Sequence, residues 1–186
     1  KLVWFHGASV GELLSVIPLI ENLEKNKNID QILITTSTLS SAKVFNNFKF
    51  KKTIHQFFYI DTNEISKKFI DYWKPSLAIF IDSEVWPNTF LNLNKSNIHT
   101  ILINGRITKK SFNRWKIFNN FSRKIFKCFT ATFPCNTETK KYLKFFGVKS
   151  IKQMKNLKLS QKKYKKNLIE SKTKNFFINQ KVWCGA

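Results

Sequence analysis

At 186 residues, with 42% hydrophobic side chains, the chain is large and apolar enough for one packed domain plus part of a second, which excludes a disordered protein. No apolar run approaches the roughly 18 residues needed to cross a bilayer, so a membrane-spanning helix is excluded from this stretch. The formal net charge of +22 is lopsided: residues 1–100 hold 11 Lys against 9 acids, and residues 101–186 hold 22 Lys and Arg against 2. Such an excess attracts polyanions, either nucleic acid or an anionic membrane surface, although the coding bias of an AT-rich genome inflates surface Lys with no partner at all.

In chain order, strand-like and helix-like stretches alternate. LVWFH (2–6) precedes the periodic ELLSVIPLIENLEKN (12–26), in which Pro18 is expected to kink the helix. QILITT (31–36) precedes SSAKVFNNF (40–48), and TIHQFFYI (53–60) precedes TNEISKKFIDYW (62–73), with Asp61-Thr62-Asn63 as its N-cap. LAIFID (77–82) leads to EVWPNTFLNLN (84–94), where Ser83 is placed to cap and Trp86 to join the core. HTILING (99–105) follows, then TKKSFNRWKIFNNFSRKIFKCF (108–129) as one long helix. FTATF (129–133) and NTETKKYLKFFG (136–147) close the series, with Gly147 at a helix C-cap. Short, nearly continuous apolar strands alternating with helices imply an α/β fold with a Rossmann-like parallel sheet covered on both faces.

From about residue 150 the texture turns polar and Lys-laden, until KVWCGA reads as a new strand. A domain boundary is placed there, giving 1–155 as one domain and 156–186 as an interdomain segment with the first strand of another. The sequence begins without Met inside an apparent strand and stops inside another, so it is expected to be a fragment lacking residues on both sides. Cys128, Cys135 and Cys184 show no CxxC spacing and no histidine partner for zinc, so reduced structural thiols are expected and no metal site. Of the three histidines, His55 and His99 read as satisfied core residues.

Ligands of open parallel sheets bind beyond the carboxyl ends of the strands, and three polar stretches fall there: Gly7–Glu12, Asp82-Ser83-Glu84 and Asn104-Gly105-Arg106. The glycines allow a tight turn and close approach to a ligand. HGASVG matches neither a dinucleotide fingerprint nor a P-loop, since its two glycines are four apart and no GK[ST] follows. Glu12 has two readings. It complements the helix dipole and completes a capping box with Ser9, a contribution of about 0.3–1 kcal/mol, or it is a general base. The dipole lowers its proton affinity unless an apolar surround opposes it. In the 108–129 stretch, Phe112, Trp115, Phe118, Phe121, Ile125 and Phe129 recur every three to four residues among seven bases. That stripe is either a core face or a surface lying on an anionic membrane, and both hold if one end is exposed.

WFHGASVGELLSVIPLI, ILITTSTLSSAKV, DSEVWPN, LINGRIT, NLK (156–158) and the closing VWCGA, in this order, resemble the N-terminal half of the Kdo transferases. Those enzymes attach 3-deoxy-D-manno-octulosonic acid (Kdo) to lipid A precursors in Gram-negative bacteria. The resemblance implies the N-terminal, acceptor-binding half of a two-domain GT-B glycosyltransferase, with a CMP-sugar-binding domain downstream. It implies CMP-Kdo as donor, a lipid A precursor as acceptor, no cofactor or metal, and attachment to the cytoplasmic face of the inner membrane. It maps the proton acceptor to Glu12 and transition-state stabilisers to Asp82 and Lys158. Gly7, Ser9, Gly11, Glu84 and Arg106 are the expected substrate-binding positions. Two departures stand out: Asp82 occupies a position more often Glu, one methylene longer, and Lys155 replaces the glycine before NLK. The resemblance leaves two rivals open, another GT-B nucleotide-sugar glycosyltransferase and a basic nucleic-acid-binding module; nucleic acid is not expected as a partner.

Overall fold

The computed structural model describes residues 1–154 and Leu157. Six parallel strands, β1 (Leu2–His6), β2 (Gln31–Thr36), β3 (Thr53–Phe57), β4 (Leu77–Ile81), β5 (His99–Gly105) and β6 (Ala131–Pro134), form one sheet in the order β3-β2-β1-β4-β5-β6. The chain leaves β1 toward β2 and β3, then returns across it to β4, so the strand order reverses between β1 and β4. At such a reversal the connections diverge to opposite faces and leave a crevice at the strands' carboxyl ends.

The pleat sorts each strand between two cores. Val3, Phe5, Ile32, Ile34, Ile79, Ile81 and Ile103 face one side, where Leu13, Val16, Ile17 and Ile20 of α1 (Val10–Glu24) and Phe45 of α2 (Leu39–Phe45) cover them. Trp4, Leu33, Ala78, Phe80 and Leu102 face the other. There they meet Ile70 of α3 (Asn63–Trp73), Phe90 and Leu93 of α4 (Pro87–Lys95), and the later helices α5 (Lys109–Ile117), α6 (Asn119–Phe126) and α7 (Thr137–Phe145). Each fully buried Leu, Ile or Phe contributes about 1.5–3 kcal/mol, so the two apolar layers fix which strand face meets which helices.

Helix starts follow local chemistry. Ser9, Thr38, Thr62, Thr108 and Asn136 each accept a backbone N–H with the side chain, capping α1, α2, α3, α5 and α7. Gly147 closes α7 with φ +85°, a backbone conformation that a Cβ disfavours. Helix α1 does not end at Pro18 but continues to Glu24, with Leu13, Val16, Ile17 and Ile20 burying its inner face on both sides of the proline. Two expectations are corrected, the single basic helix and the core placement of His99. The long basic helix is two: Phe118, at φ −103° and ψ +51°, ends α5 and starts α6. Breaking there lets Phe112 stack on Tyr142 (4.0 Å) while Trp115 meets Phe126 edge-on (5.5 Å), and Ser122 Oγ donates to the Trp115 carbonyl (2.5 Å). His99 is exposed at the start of β5 rather than in the core, while His55 is half-buried, with Nε2 against Thr36 Oγ1 (2.8 Å).

The proposed boundary near residue 155 and the strand KVWCGA lie outside the described residues. Cys128 is a free, buried thiol and Cys135 is half-buried; Cys184 also lies outside.

Candidate active site on the carboxyl edge

The turn after β1 carries Glu12 to the head of α1. Gly7 is buried and its backbone N–H bonds the Thr35 carbonyl of β2 (3.1 Å), so the turn starts within the sheet. A Cβ on Gly7 would stand 3.0 Å from both Glu12 Cβ and Ile81 Cδ1, and 3.5 Å from Glu12 Oε2. The glycine is therefore required by close approach and not by backbone angle. At Gly11 a Cβ would meet nothing within 4 Å, so that side of the first helical turn is open.

Glu12 and Ser9 form the expected capping box: Ser9 Oγ accepts from the Glu12 N–H (3.3 Å), and Glu12 Oε2 accepts from the N–H of Ala8 (2.6 Å) and Ser9 (3.4 Å). The cap explains the position but not the electrostatics. Burial raises the Glu12 carboxyl above its usual range and the Glu84 charge adds to that; the hydrogen bonds from Ser9 and Ala8 only partly oppose them. The apolar surround outweighs the helix terminus.

Glu84 comes from the turn after β4. Its Oε2 lies 3.1 Å from Nε2 of His6 and accepts from Nε1 of Trp86 (2.7 Å). His6, the last residue of β1, is fully buried. Trp86 therefore packs as expected, while also holding an acid on the site edge.

Asp82 follows β4 with φ +62°, a left-handed conformation that Asp tolerates better than most residues. Its backbone bridges to the turn after β5, the N–H donating to Ile103 O (3.0 Å) and the carbonyl accepting from the Arg106 N–H (3.1 Å). Ser83 Oγ bonds both Asp82 Oδ1 (3.2 Å) and Arg106 O (2.8 Å), which ties it to these turns and leaves it no part in capping α4. Asn104, also left-handed at φ +53°, accepts the Leu157 N–H with Oδ1 (3.1 Å). That bond places Leu157 beside β5.

The N-terminus of α4 is held from outside. Its N-cap, Trp86, offers no side-chain acceptor; the carboxylate of Asp61 accepts from the N–H groups of Asn88 (3.0 Å) and Thr89 (2.8 Å) and from Thr89 Oγ1 (2.7 Å). The sequence assigned Asp61 to the start of α3, where Thr62 does the capping alone.

The structure thus gathers Gly7, Ser9, Gly11, Glu12, Asp82, Glu84 and Arg106 on the turns after β1, β4 and β5. Glu84 is the acid whose charge bears on Glu12. Arg106 presents an exposed side chain, Asp82 a mostly buried one, and Lys158 lies outside the described residues. Sequence reasoning missed the parts of His6 and Thr35 and gave Asp61 a different one. The first stood inside the quoted HGASVG, whereas Thr35 carries no local signal. Among the described residues no group of three or more His, Cys, Asp or Glu is placed to hold a metal ion, and no helix is long and apolar enough to cross a membrane.

Parallel strands in this order, with two acids beside the reversal point, define a Rossmann-like α/β domain with a polar site on its carboxyl edge. Solved structures share that fold. A UDP-GlcNAc 2-epimerase from Neisseria meningitidis bound to UDP-GlcNAc superposes with a TM-score of 0.62 at 14% identity, over 87% of this chain and 48% of that one. One from Methanocaldococcus jannaschii gives 0.57 at 18%, over 84% and 45%. The family is set by sequence. The profile of the 3-deoxy-D-manno-octulosonic-acid transferases (kdotransferases) matches residues 1–161, and the chain belongs to that family. It is 34% identical to a 3-deoxy-D-manno-octulosonic acid transferase of Rickettsia felis over 183 residues, 98% of this chain and 39% of that protein. To one of Rickettsia prowazekii it is 35% identical over 163 residues, 88% and 35% of the two chains. A probable mitochondrial 3-deoxy-D-manno-octulosonic acid transferase of Arabidopsis thaliana is 37% identical over 115 residues, 62% and 26%. The chain spans about two-fifths of the length of the Rickettsia felis relative.

Proposed function

We propose that the chain is the acceptor-binding half of an inverting glycosyltransferase that moves Kdo from CMP-Kdo to a hydroxyl of a lipid A precursor. The observation that carries this reading is Glu12: a carboxylate on the carboxyl edge, half-buried beside Glu84, with its proton affinity raised. A carboxylate whose proton affinity is raised is a stronger base. The acceptor hydroxyl gives its proton to Glu12 as its oxygen bonds to the anomeric carbon of Kdo. The bond from that carbon to the CMP phosphate breaks on the opposite face, and CMP leaves as the anion. One displacement inverts the configuration. The transition state has oxocarbenium character, which Asp82 offsets, and Lys158 offsets the charge growing on the departing phosphate. Gly11, Glu84 and Arg106 meet the acceptor, while Gly7 and Ser9 shape the turn that presents Glu12. No metal or cofactor takes part.

The acceptor on this reading is an acylated, phosphorylated lipid, so the enzyme works at a membrane surface, the cytoplasmic face of the inner membrane in the proposed pathway of transfer. The surface around the α5–α6 break supports this: Ile117, Phe118 and Phe121 are 74%, 67% and 47% exposed amid Arg114, Lys116, Arg123 and Lys124. An apolar tip ringed by bases suits an anionic bilayer surface. The same stretch buries Ile125, Phe126 and Phe129, so one run of sequence serves both core and surface.

The test is transfer from CMP-Kdo to a lipid A precursor by a protein joining this chain to a CMP-sugar-binding half; the chain alone should be inactive. Glu12→Gln keeps an oxygen for the Ala8 N–H but loses the base, and transfer should fall by about 10²–10⁴-fold. Wild-type turnover in that variant would remove Glu12 from the mechanism.

A further inference from the structure

The buried histidine behind the site has no part in the reaction proposed above, yet its contacts lead to it. We propose that His6 is a positioning residue: seated on Thr35, it fixes the Glu84 carboxylate at the Glu12 end of the site. The inference rests on the reading of Glu12 as the base, and concerns what holds that base in its electrostatic setting.

A carboxylate only accepts, so the contact of His6 Nε2 with Glu84 Oε2 at 3.1 Å places a proton on Nε2. The other ring nitrogen, Nδ1, is seated on Thr35, 2.9 Å from its Oγ1 and 3.2 Å from its carbonyl oxygen. Thr35 Oγ1 in turn accepts from Trp4 Nε1 at 2.9 Å and lies 3.3 Å from the Phe5 carbonyl. Trp4, Thr35, His6 and Glu84 are thus linked by hydrogen bonds from the core to the site edge. The ring has little freedom to turn. Phe58 stacks on it at 3.8 Å, and Phe80 and Trp86 meet it edge-on at 5.7 and 5.8 Å.

Glu84 is thereby gripped at one oxygen by two donors from different elements, His6 of β1 and Trp86 before α4. Among the described residues, the charged and titratable groups facing it are His6 and, from the head of α1, Glu12; Asp82 and Arg106 belong to the turns after β4 and β5 on the same edge. A histidine serving only the core needs no acid at its outer nitrogen. This one ends on the acid whose charge bears on Glu12.

The experiment is solution NMR of the chain with ¹³C-labelled glutamate and ¹⁵N-labelled histidine. The Glu12 carboxyl is titrated in the wild type, Glu84→Gln, His6→Phe, His6→Gln and the double variant. His6→Phe keeps a flat ring against Phe58 but frees Glu84, so the Glu12 midpoint should fall toward its ordinary value, as it should in Glu84→Gln. His6→Gln, whose amide N–H replaces Nε2–H, should restore most of the shift. In the Glu84→Gln background His6→Phe should add nothing, since a positioning residue acts only through its partner. An unchanged midpoint in His6→Phe, or an equal shift in both backgrounds, would overturn the proposal. If His6→Phe loses the dispersed amide signals of a folded chain, the wild-type ring decides: a proton on Nε2 supports the proposal, a bare Nε2 overturns it. None of these readouts requires sugar transfer, so the role of Glu12 as base and the role of His6 can fail separately.

Discussion

Removing the Asp61 carboxylate should loosen the site from behind, and its size follows from the contacts. Asp61→Ala takes away the acceptor of two α4 N–H groups and of Thr89 Oγ1, while the bond from Asn88 Nδ2 to the Asp61 carbonyl (2.7 Å) survives. Losing an N-cap acceptor costs about 1 kcal/mol, and Trp86 offers no substitute. The Thr89 hydroxyl is fully buried but keeps Tyr59 OH at 2.8 Å, so only one neutral-to-charged hydrogen bond is lost there, about another 1 kcal/mol. The total of about 2 kcal/mol should lower the urea midpoint by about 1 M for an m-value near 2 kcal/mol/M. Asp61→Asn, which keeps one acceptor oxygen, should lose about half as much. Amide hydrogen exchange locates the effect: protection should drop at Asn88 and Thr89. A stability loss below about 0.5 kcal/mol with unchanged exchange there would refute the reasoning. Lost protection at residues 63–65 instead would return Asp61 to the start of α3.

Glu12 also ties stability to pH. Its folded carboxyl binds a proton more tightly than the unfolded one, so as pH rises from below 4.5 the unfolded chain ionises first and the fold loses stability until the folded group has titrated too. Denaturation of the wild type and Glu12→Gln across this range should show the wild type losing ground to the variant as pH rises; a constant difference would contradict the raised affinity. Gly7→Ala should destabilise by about 1–3 kcal/mol, since the new methyl presses on Glu12 Cβ and Ile81 Cδ1, whereas Gly11→Ala enters open space and should be neutral or slightly stabilising in thermal melts. Ile117→Asn with Phe118→Ser should weaken sedimentation with phosphatidylglycerol-containing vesicles at least tenfold, on the order of two lost buried side chains, without changing the circular dichroism. Equal binding by the double variant would leave only charge to explain any attachment.

Much of the architecture was legible in order because it is local. The apolar runs, the side-chain caps at Thr62 and Asn136, and Gly147 each act within a few residues, so β1 to β6 and most helices stand where hydropathy and capping chemistry put them. The Ser9–Glu12 capping box was legible for the same reason. The break in the basic stretch over 108–129 was not, because the packing of Phe112 and Trp115 against α7 and α6 overrides the local preference.

The site divides along the same line. Sequence by itself determined which residues stand at strand ends, and so which side chains were candidates: Glu12, Asp82, Glu84 and Arg106. Only the tertiary structure decided how they act on one another. Glu84 is 72 positions from Glu12, His6 is 78 from Glu84, and Asp61 is 27 from Asn88. A one-dimensional pattern carries no information on such pairs, because burial and Coulomb energy depend on distance through space, and folding the sheet in the order β3-β2-β1-β4-β5-β6 is what makes those distances short.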